Sequence, residues 1–582
     1  MGRRFDPDRA HFLPFNSKLV DYYPPMNQEL ITKRISWILL ITGPAVSLAV
    51  SPSPSFDPIN LIKLLILASA AFMIFGLFIS STSKLIARVS KYFWFFCGLF
   101  VLSMTSSFFF SGAPKGQQFW GSFGRNTGLL TYLSLLFILI GTAIVQKIVF
   151  YRSIINSLVL TSIPVLIYCL IQIAGLDPVG WSSKDTFATF GNTNFLSAFL
   201  GMSALASIVL AFDKNQSLIR KISLVSITIL SALIILDTGS IQGFMILVAG
   251  LGIAGYLFIR SGSKLSKLRI PYSILAFLGL ILTVLGVTNK GPLASFIFQP
   301  SILYRADYMH AGWVMTAQHP FFGVGLDSYG DWYREVRGLI STTRTGPERT
   351  ANTAHNIFLD LSSNGGLPLI LSYIALLVFA LVIGFRWIRK NKHFDPYFAA
   401  IFSCWVAYQI QALVSINQMA VGIWGWILNG ALIGYGLSAP LANNVENVRK
   451  AKNKKSSTLP ASSGALALIF GVIGFALAYI PFNADAKYKA ANLTGNLTNI
   501  INAVELPGTS GWHISQALNV AIVNNFSDQA KTLDNLLLTK YPRDIYGWKM
   551  LYYMTSSTPA EKQAAFAKLI EMDPYNPENP KS

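Results

Sequence analysis

Charge is scarce in this chain. Asp, Glu, Lys and Arg make up 12% of its 582 residues, against 52% hydrophobic ones, whereas soluble domains carry about 25% charged residues. That poverty excludes an ordinary soluble enzyme and predicts a multi-pass membrane protein. Acidic residues are the scarcer sign, 26 against 46 Lys and Arg, which gives a formal net charge of +20. The excess does not argue for nucleic acid, because the basic residues cluster in short segments between apolar runs, as cytoplasmic loops do. Cysteine is nearly absent: Cys97, Cys169 and Cys404 each sit in an apolar run with no Cys-x-x-Cys pair, so packing roles are expected and neither disulfide nor zinc framework is implied. The polar, Pro-containing stretch 1–34 lacks the apolar core of a removable signal peptide. There is no Walker loop, Gly-x-Ser-x-Gly elbow or His-Glu-x-x-His. Gly250-x-Gly252-x-x-Gly255 spells a dinucleotide fingerprint, but inside an apolar span close helix packing explains it better.

Long apolar runs are what the chain does have. Thirteen, near the roughly 20 residues that cross a bilayer, fall at about 35–51, 59–81, 92–110, 128–146, 153–174, 194–212, 222–237, 241–259, 270–288, 366–385, 396–415, 422–440 and 462–482. An N-terminus in the cytoplasm puts the basic segments 84–91, 147–152, 214–221, 260–269, 386–392 and 449–455 on that same side, as the positive-inside rule requires. The short outer loops then carry only Lys115, Arg125 and Lys184. Asp6-Pro7-Asp8 falls on the cytoplasmic side. The expected organisation is all-α and polytopic, with twelve or thirteen membrane helices: a cytoplasmic segment 1–34, a transmembrane domain 35–482 with a large outer loop 289–365, and an outer tail 483–582. In the tail, Ser527–Leu538 has helical periodicity. Thr558-Pro559-Ala560-Glu561 is a capping box with proline at the first helical position, and Asp573-Pro574 stops that helix. Both a tetratricopeptide-like helix pair and a plain helical cap on the membrane domain fit.

The outer loop is long and polar, and such loops are uncommon without a function. It holds Arg305-x-x-Tyr308, then His319-Pro320-x-x-Gly323-x-Gly325, then His355-Asn356-x-x-Leu359 before Gly365-Gly366 opens a span. Two earlier outer segments share its character: Gly124-Arg125-x-x-Gly128 and Phe190-Gly191-Asn192-x-Asn194, where Asn194 is a candidate helix cap. Permanent cations, a titratable imidazole and amides on one membrane face suit an anionic lipid headgroup.

In order and topology these elements, over roughly residues 90–440, resemble the O-antigen ligase superfamily of integral-membrane glycosyltransferases. The superfamily includes lipopolysaccharide ligases, O-antigen polymerases and some protein O-oligosaccharyltransferases. The resemblance implies a GT-C-like fold in a bacterial cytoplasmic membrane. It also implies a polyprenyl-diphosphate-linked glycan as donor and a lipid, glycan or protein hydroxyl as acceptor, with no cofactor. It casts His355 as general base and Arg305 as diphosphate-binding group, and it draws Arg125, Asn356, Asn192, Asn194, Gln242 and Lys184 toward substrate binding. Metal independence is expected, since no outward Asp-x-Asp or metal-spaced His/carboxylate cluster occurs. One position departs from the family: at Asp237-Thr238-Gly239-Ser240-Ile241-Gln242-Gly243 an expected second arginine is missing, leaving Arg125 and Lys184 as substitutes.

Plainer roles compete at each position. His355 alone would read as a cap or loop residue, and His319 as part of a Pro/Gly-shaped turn. His310 stays undecided. Arg305 could snorkel or pair with Asp307, Arg125 could anchor at the interface, and Lys184 could be solvated. Arg334, Arg337, Arg344 and Arg349 read as a solvated basic run. Asp360 reads as structural, and Gln242, Gln409 and Gln411 as interhelical hydrogen bonders. A glycolipid transporter is the rival of another class, although no internal repeat of the kind transporters carry is evident.

Overall fold

The computed structural model describes residues 26–181, 183–262, 264–438 and 461–580. Asp6 and Asp8, most of the 1–34 segment and the basic segment 449–455 therefore lie outside the described residues. Regular structure among the described residues is all helical. Every apolar run falls on a helix: Met26–Leu48, Asn60–Ile79, Lys91–Phe110, Leu129–Val145, Ile148–Ile173, Thr193–Ala211, Leu218–Asp237, Ile241–Ser261, Arg269–Val287, Ile357–Lys390, Pro396–Ala412, Met419–Leu437 and Ala461–Thr494. A helix satisfies its own backbone polar groups, which is why an apolar run in lipid adopts it. Ten helices among the described residues are long and apolar enough to cross a membrane. The remaining three are Leu129–Val145 and Pro396–Ala412, at 17 residues each, and Met26–Leu48, whose first turns carry Glu29, Lys33 and Arg34. The protein is a polytopic membrane protein.

Met419–Leu437 and Thr193–Ala211 form the axis of the bundle, with 89% and 78% of their apolar windows buried. Leu265–Val287 is the outermost span, 6% buried, and presents Leu275, Phe277 and Leu280 outward. Gly250 lies against Leu205 of the neighbouring helix, so its fingerprint is a packing contact. The three cysteines are free and buried. Lys63, buried within a span, donates to the carbonyls of Val46 (2.8 Å), Ser47 (3.1 Å) and Ala49 (2.8 Å). These are the closing carbonyls of the first helix and have no partner within it.

The loops sort to two ends. At one end Arg220 reaches Asn156 (2.8 Å), Arg260 the Asn391 carbonyl (3.3 Å) and Lys147 Glu29 (3.0 Å). At the other, Asn60 reaches the Gly124 carbonyl (2.8 Å), Asp485 accepts the Asp57 N–H (3.0 Å) and the 289–365 region meets both the 111–128 loop and the tail.

Three features of the fold stand beside the expected organisation. Helix already begins at Met26 within 1–34, and the 482/483 border falls inside the continuous Ala461–Thr494 helix. The third is the large outer loop, which is mostly helix: Pro300–Gln318, Tyr329–Val336 and Leu339–Thr345 close over a small core of Ala311, Met315, Val324, Tyr329, Tyr333, Ala351 and Ala354. Proline at the first turn and apolar residues four apart at 311 and 315 start and dock the first of these.

The tail stacks Leu497–Val504, Gly511–Val523, Ser527–Lys540, Ile545–Tyr553 and Pro559–Met572, each packed on its sequence neighbour. The Thr558/Glu561 capping box is formed. Of the basic run, Arg344 and Arg349 are exposed as the sequence suggested, but Arg334 and Arg337 are not. Arg337 is fully buried, donating to Asp573 of the tail at 2.7 Å, and Arg334 donates to the same carboxylate at 2.9 Å. Arg344 pairs with Asp307 at 2.8 Å, which leaves Asp307 unavailable to Arg305. Removing one partner of a buried ion cluster strands the other, at a cost of about 3–5 kcal/mol. Asp573→Ala is therefore expected to undock the tail from the loop, seen as protease cleavage within residues 483–580 under conditions that leave the parent protein intact.

Candidate functional site

The His355 site is built on a broken helix. Asn356 caps Ile357–Lys390, its Oδ1 accepting from the N–H groups of Phe358 (3.0 Å) and Leu359 (3.1 Å). Nine residues on, Gly366 has φ +76°, and a Cβ there would lie 2.5 Å from the Phe321 carbonyl carbon. Only glycine fits such a position. The break exposes backbone groups that the His319–Gly325 turn satisfies: Val324 N–H donates to the Ser363 carbonyl (2.8 Å), Gly325 N–H to Asn364 (3.0 Å) and Leu367 N–H to Pro320 (2.7 Å). His319 meets Trp332 edge-on, with ring centroids 4.7 Å apart. It shapes the loop, as the Pro/Gly spacing suggested.

His355 stands immediately before the cap, with φ +51°. A histidine held in the left-handed region is strained, and such strain concentrates at functional sites. Thr353 fixes the ring, its Oγ1 3.1 Å from Nδ1, while Tyr308 lies across it at 5.1 Å between centroids. Asp360 accepts the Ala354 N–H at 2.8 Å and so braces this turn without touching the imidazole.

Two arginines act electrostatically on the ring. Burial, and the repulsion of Arg125 and Arg305, push the His355 imidazole down to about 4. Neutral at ordinary pH, it can accept a proton. Burial also lowers Arg305, which makes no hydrogen bond or ion pair among the described residues. Arg125 has one ionic partner, Asp327 at 3.7 Å, and its buried Nε has no hydrogen-bond partner among the described residues. Guanidinium groups are normally saturated with acceptors when buried. Arg305 and Arg125, each without a side-chain hydrogen bond to protein among the described residues, have donors to offer an anion with several oxygens.

Residues 226–374 match a family model described as O-antigen ligase. Over that segment the chain is similar to the O-antigen ligase family. The matched segment contains Arg305, His319, His355 and Asn356, and it ends within the broken helix. Arg125 joins its site from outside, carried by the loop before the Leu129–Val145 helix. Among the curated proteins no match was found.

The other expected site residues take separate places. Asn192, and not Asn194, caps Thr193–Ala211, accepting the Asn194 N–H at 2.8 Å. The two amides are close enough in sequence for either to serve, and the helix starts one residue before Asn194. Asn194 Oδ1 instead accepts from Ser240 (2.8 Å). Gln242 is buried and accepts from Gln411 at 3.3 Å, an interhelical pair. Where the family's second arginine is missing, a hydroxyl and amide network therefore stands. Lys184 is exposed, as is His310. Of the two substitutes, Arg125 is the one beside His355.

Asp327 and Thr353 lie at the site and were not singled out from sequence. Asp327 accepts the N–H groups of Ser122 (2.9 Å) and Thr127 (3.0 Å), fixing the Gly124-Arg125 turn from some 200 residues away. Its one sequence signal is its place just after Gly323-x-Gly325, where a turn ends.

Proposed function

We propose that this protein transfers a glycan from a polyprenyl diphosphate to an acceptor hydroxyl at the outer face of a bacterial cytoplasmic membrane, without a metal and with inversion at the anomeric carbon. The carrying observation is a buried, neutral imidazole under the electrostatic influence of two guanidinium groups, Arg125 and Arg305, that make no side-chain hydrogen bond to protein among the described residues. The positive-inside distribution supports the sidedness, with the His355 end outside along with the tail and the N-terminus in the cytoplasm.

In this reading Nδ1 of His355 is held by Thr353, leaving Nε2 as the base. The acceptor oxygen attacks the anomeric carbon while its proton passes to Nε2. The bond from that carbon to the diphosphate oxygen breaks, and its electron pair leaves with the diphosphate. Arg305 and Arg125 bind those oxygens, where the negative charge accumulates. Attack from the face opposite the leaving group inverts the centre.

The proton affinity of His355 follows the ligand. Empty, the site keeps it near 4, so the neutral base is present at all higher pH. A bound diphosphate cancels the repulsion of the two arginines and draws the pKa upward. The expected acid limb of kcat/KM, which reports the free enzyme, lies near pH 4, well below histidine's ordinary value of about 6.5. The acid limb of kcat lies at higher pH. Rate profiles at saturating and limiting donor check this.

Mass spectrometry of glycoconjugates in cells lacking the protein tests the function. Loss of one glycoconjugate with accumulation of its lipid-linked glycan is the expected result. Unchanged glycoconjugates overturn it, and shortened chains on the lipid carrier point to a polymerase.

A further inference from the structure

A cavity of about 450 Å³ lies apart from the His355 site. It lies between the tail and the outer loops, and neither Arg305 nor His355 lines it. Its size falls within the roughly 300–1,000 Å³ of small-molecule sites. Aromatic rings from three separate parts of the chain line it: Trp120, Trp332, Trp512 and Tyr541. Between them stand polar groups with capacity to spare. Asn126 is buried, and its Oδ1 has no hydrogen-bond partner among the described residues. The Asp331 carboxylate accepts from Gln117 Nε2 (2.7 Å); burial pushes Asp331 up to about 7, so near neutrality it both donates and accepts.

The cavity's cations are already committed. Arg334 is held by Asp573, and Arg543 is ion-paired to Glu335 and stacked on Trp332 at 3.6 Å. An anion therefore finds no free positive charge here, in contrast to the His355 site. Aromatic faces combined with amide and carboxyl groups suit a molecule with C–H faces and many hydroxyls. We propose that this cavity binds sugar residues of a neutral oligosaccharide, held at the junction of tail and outer loops beside the transfer site. Asp327 lines the cavity and also pairs with Arg125, so a glycan held here shares a wall with the diphosphate receptor. The inference rests on the transfer reading for which reaction partner the glycan belongs to, but not for binding itself.

The probe is the oligosaccharide freed by mild acid from the cell's own polyprenyl-diphosphate pool, added to the full-length protein in nanodiscs and followed by saturation-transfer NMR. Binding is expected to the parent protein and equally to His355→Asn. Trp512→Ala removes one aromatic face, and Thr350→Trp fills the cavity from an exposed position on its wall. Each is expected to weaken binding by about tenfold or more, as loss of a buried aromatic contact does. In turnover the same variants raise KM and leave kcat within about twofold: the donor's KM if the cavity holds donor glycan, the acceptor's if it holds acceptor glycan. Glycan binding without any transfer upholds the cavity and sinks the transferase reading. Transfer with unchanged Kd and KM in both variants overturns the cavity inference.

Discussion

Replacing His355 by asparagine is expected to lower kcat for glycan transfer by about 10²–10⁴-fold, the range a positioned general base supplies. Asparagine is the informative choice because His355 has φ +51°, a conformation asparagine tolerates better than most residues. The turn, the Asn356 cap and the Asp360 brace then survive, and only the base is lost. The donor's dissociation constant should stay within about threefold of the parent's, since both arginines remain. A second variant, His355→Gly, also accepts positive φ and leaves space where the ring was. Added imidazole should restore part of its activity. A His355 that merely shaped the turn would give an asparagine variant with near-normal kcat and no imidazole response.

Arg305→Ala is expected to cost about 10²–10³-fold in kcat, comparable to removing one preorganised donor from a developing oxyanion. Arg305 suits this test because it holds no ion pair among the described residues, so its loss strands no buried carboxylate. Arg125→Ala would uncover Asp327, which also anchors the 122–127 turn, and would mix folding with chemistry. Lysine at 305 restores charge but not the two-pronged grip on phosphate oxygens, and should recover only part of the rate. One consequence separates catalysis from architecture. Taking away a neighbouring cation favours the imidazolium, so the acid limb of kcat/KM should move up from near pH 4 in Arg305→Ala. Steady-state rates against pH for parent and variant measure the shift; an unmoved limb would mean that Arg305 does not act on His355.

Much of the membrane domain was legible because its signals are local. An apolar run long enough to span and a capping box each depend on neighbours within a few residues. What stayed hidden depends on distant partners. Arg334 and Arg337 read as a solvated run because Asp573, which buries them, lies 239 and 236 positions away. The clamp of Asp327 on the 122–127 turn was invisible for the same reason. At the candidate site, the order of Arg305, His319 and His355 marked the loop, but not its helical fold. Pro320, Gly323 and Gly366 mark turns; that these turns mate with one another is a tertiary fact. Left-handed backbone at His355 carries no sequence mark, since histidine gives little warning of it. The absent arginine near Gln242 raised a real question, and the geometry around His355 favours Arg125 over exposed Lys184 as the answer.

The most direct test of the central claim is a single-turnover reaction of the purified protein in nanodiscs, with a polyprenyl-diphosphate-linked oligosaccharide of known anomeric configuration and an acceptor extract from the same cells. Released polyprenyl diphosphate and new glycosidic bond should appear in equal amounts, only when acceptor is present, with the opposite anomeric configuration by NMR. Acceptor-independent passage of the intact glycolipid across vesicle membranes, with no diphosphate released, would contradict the account.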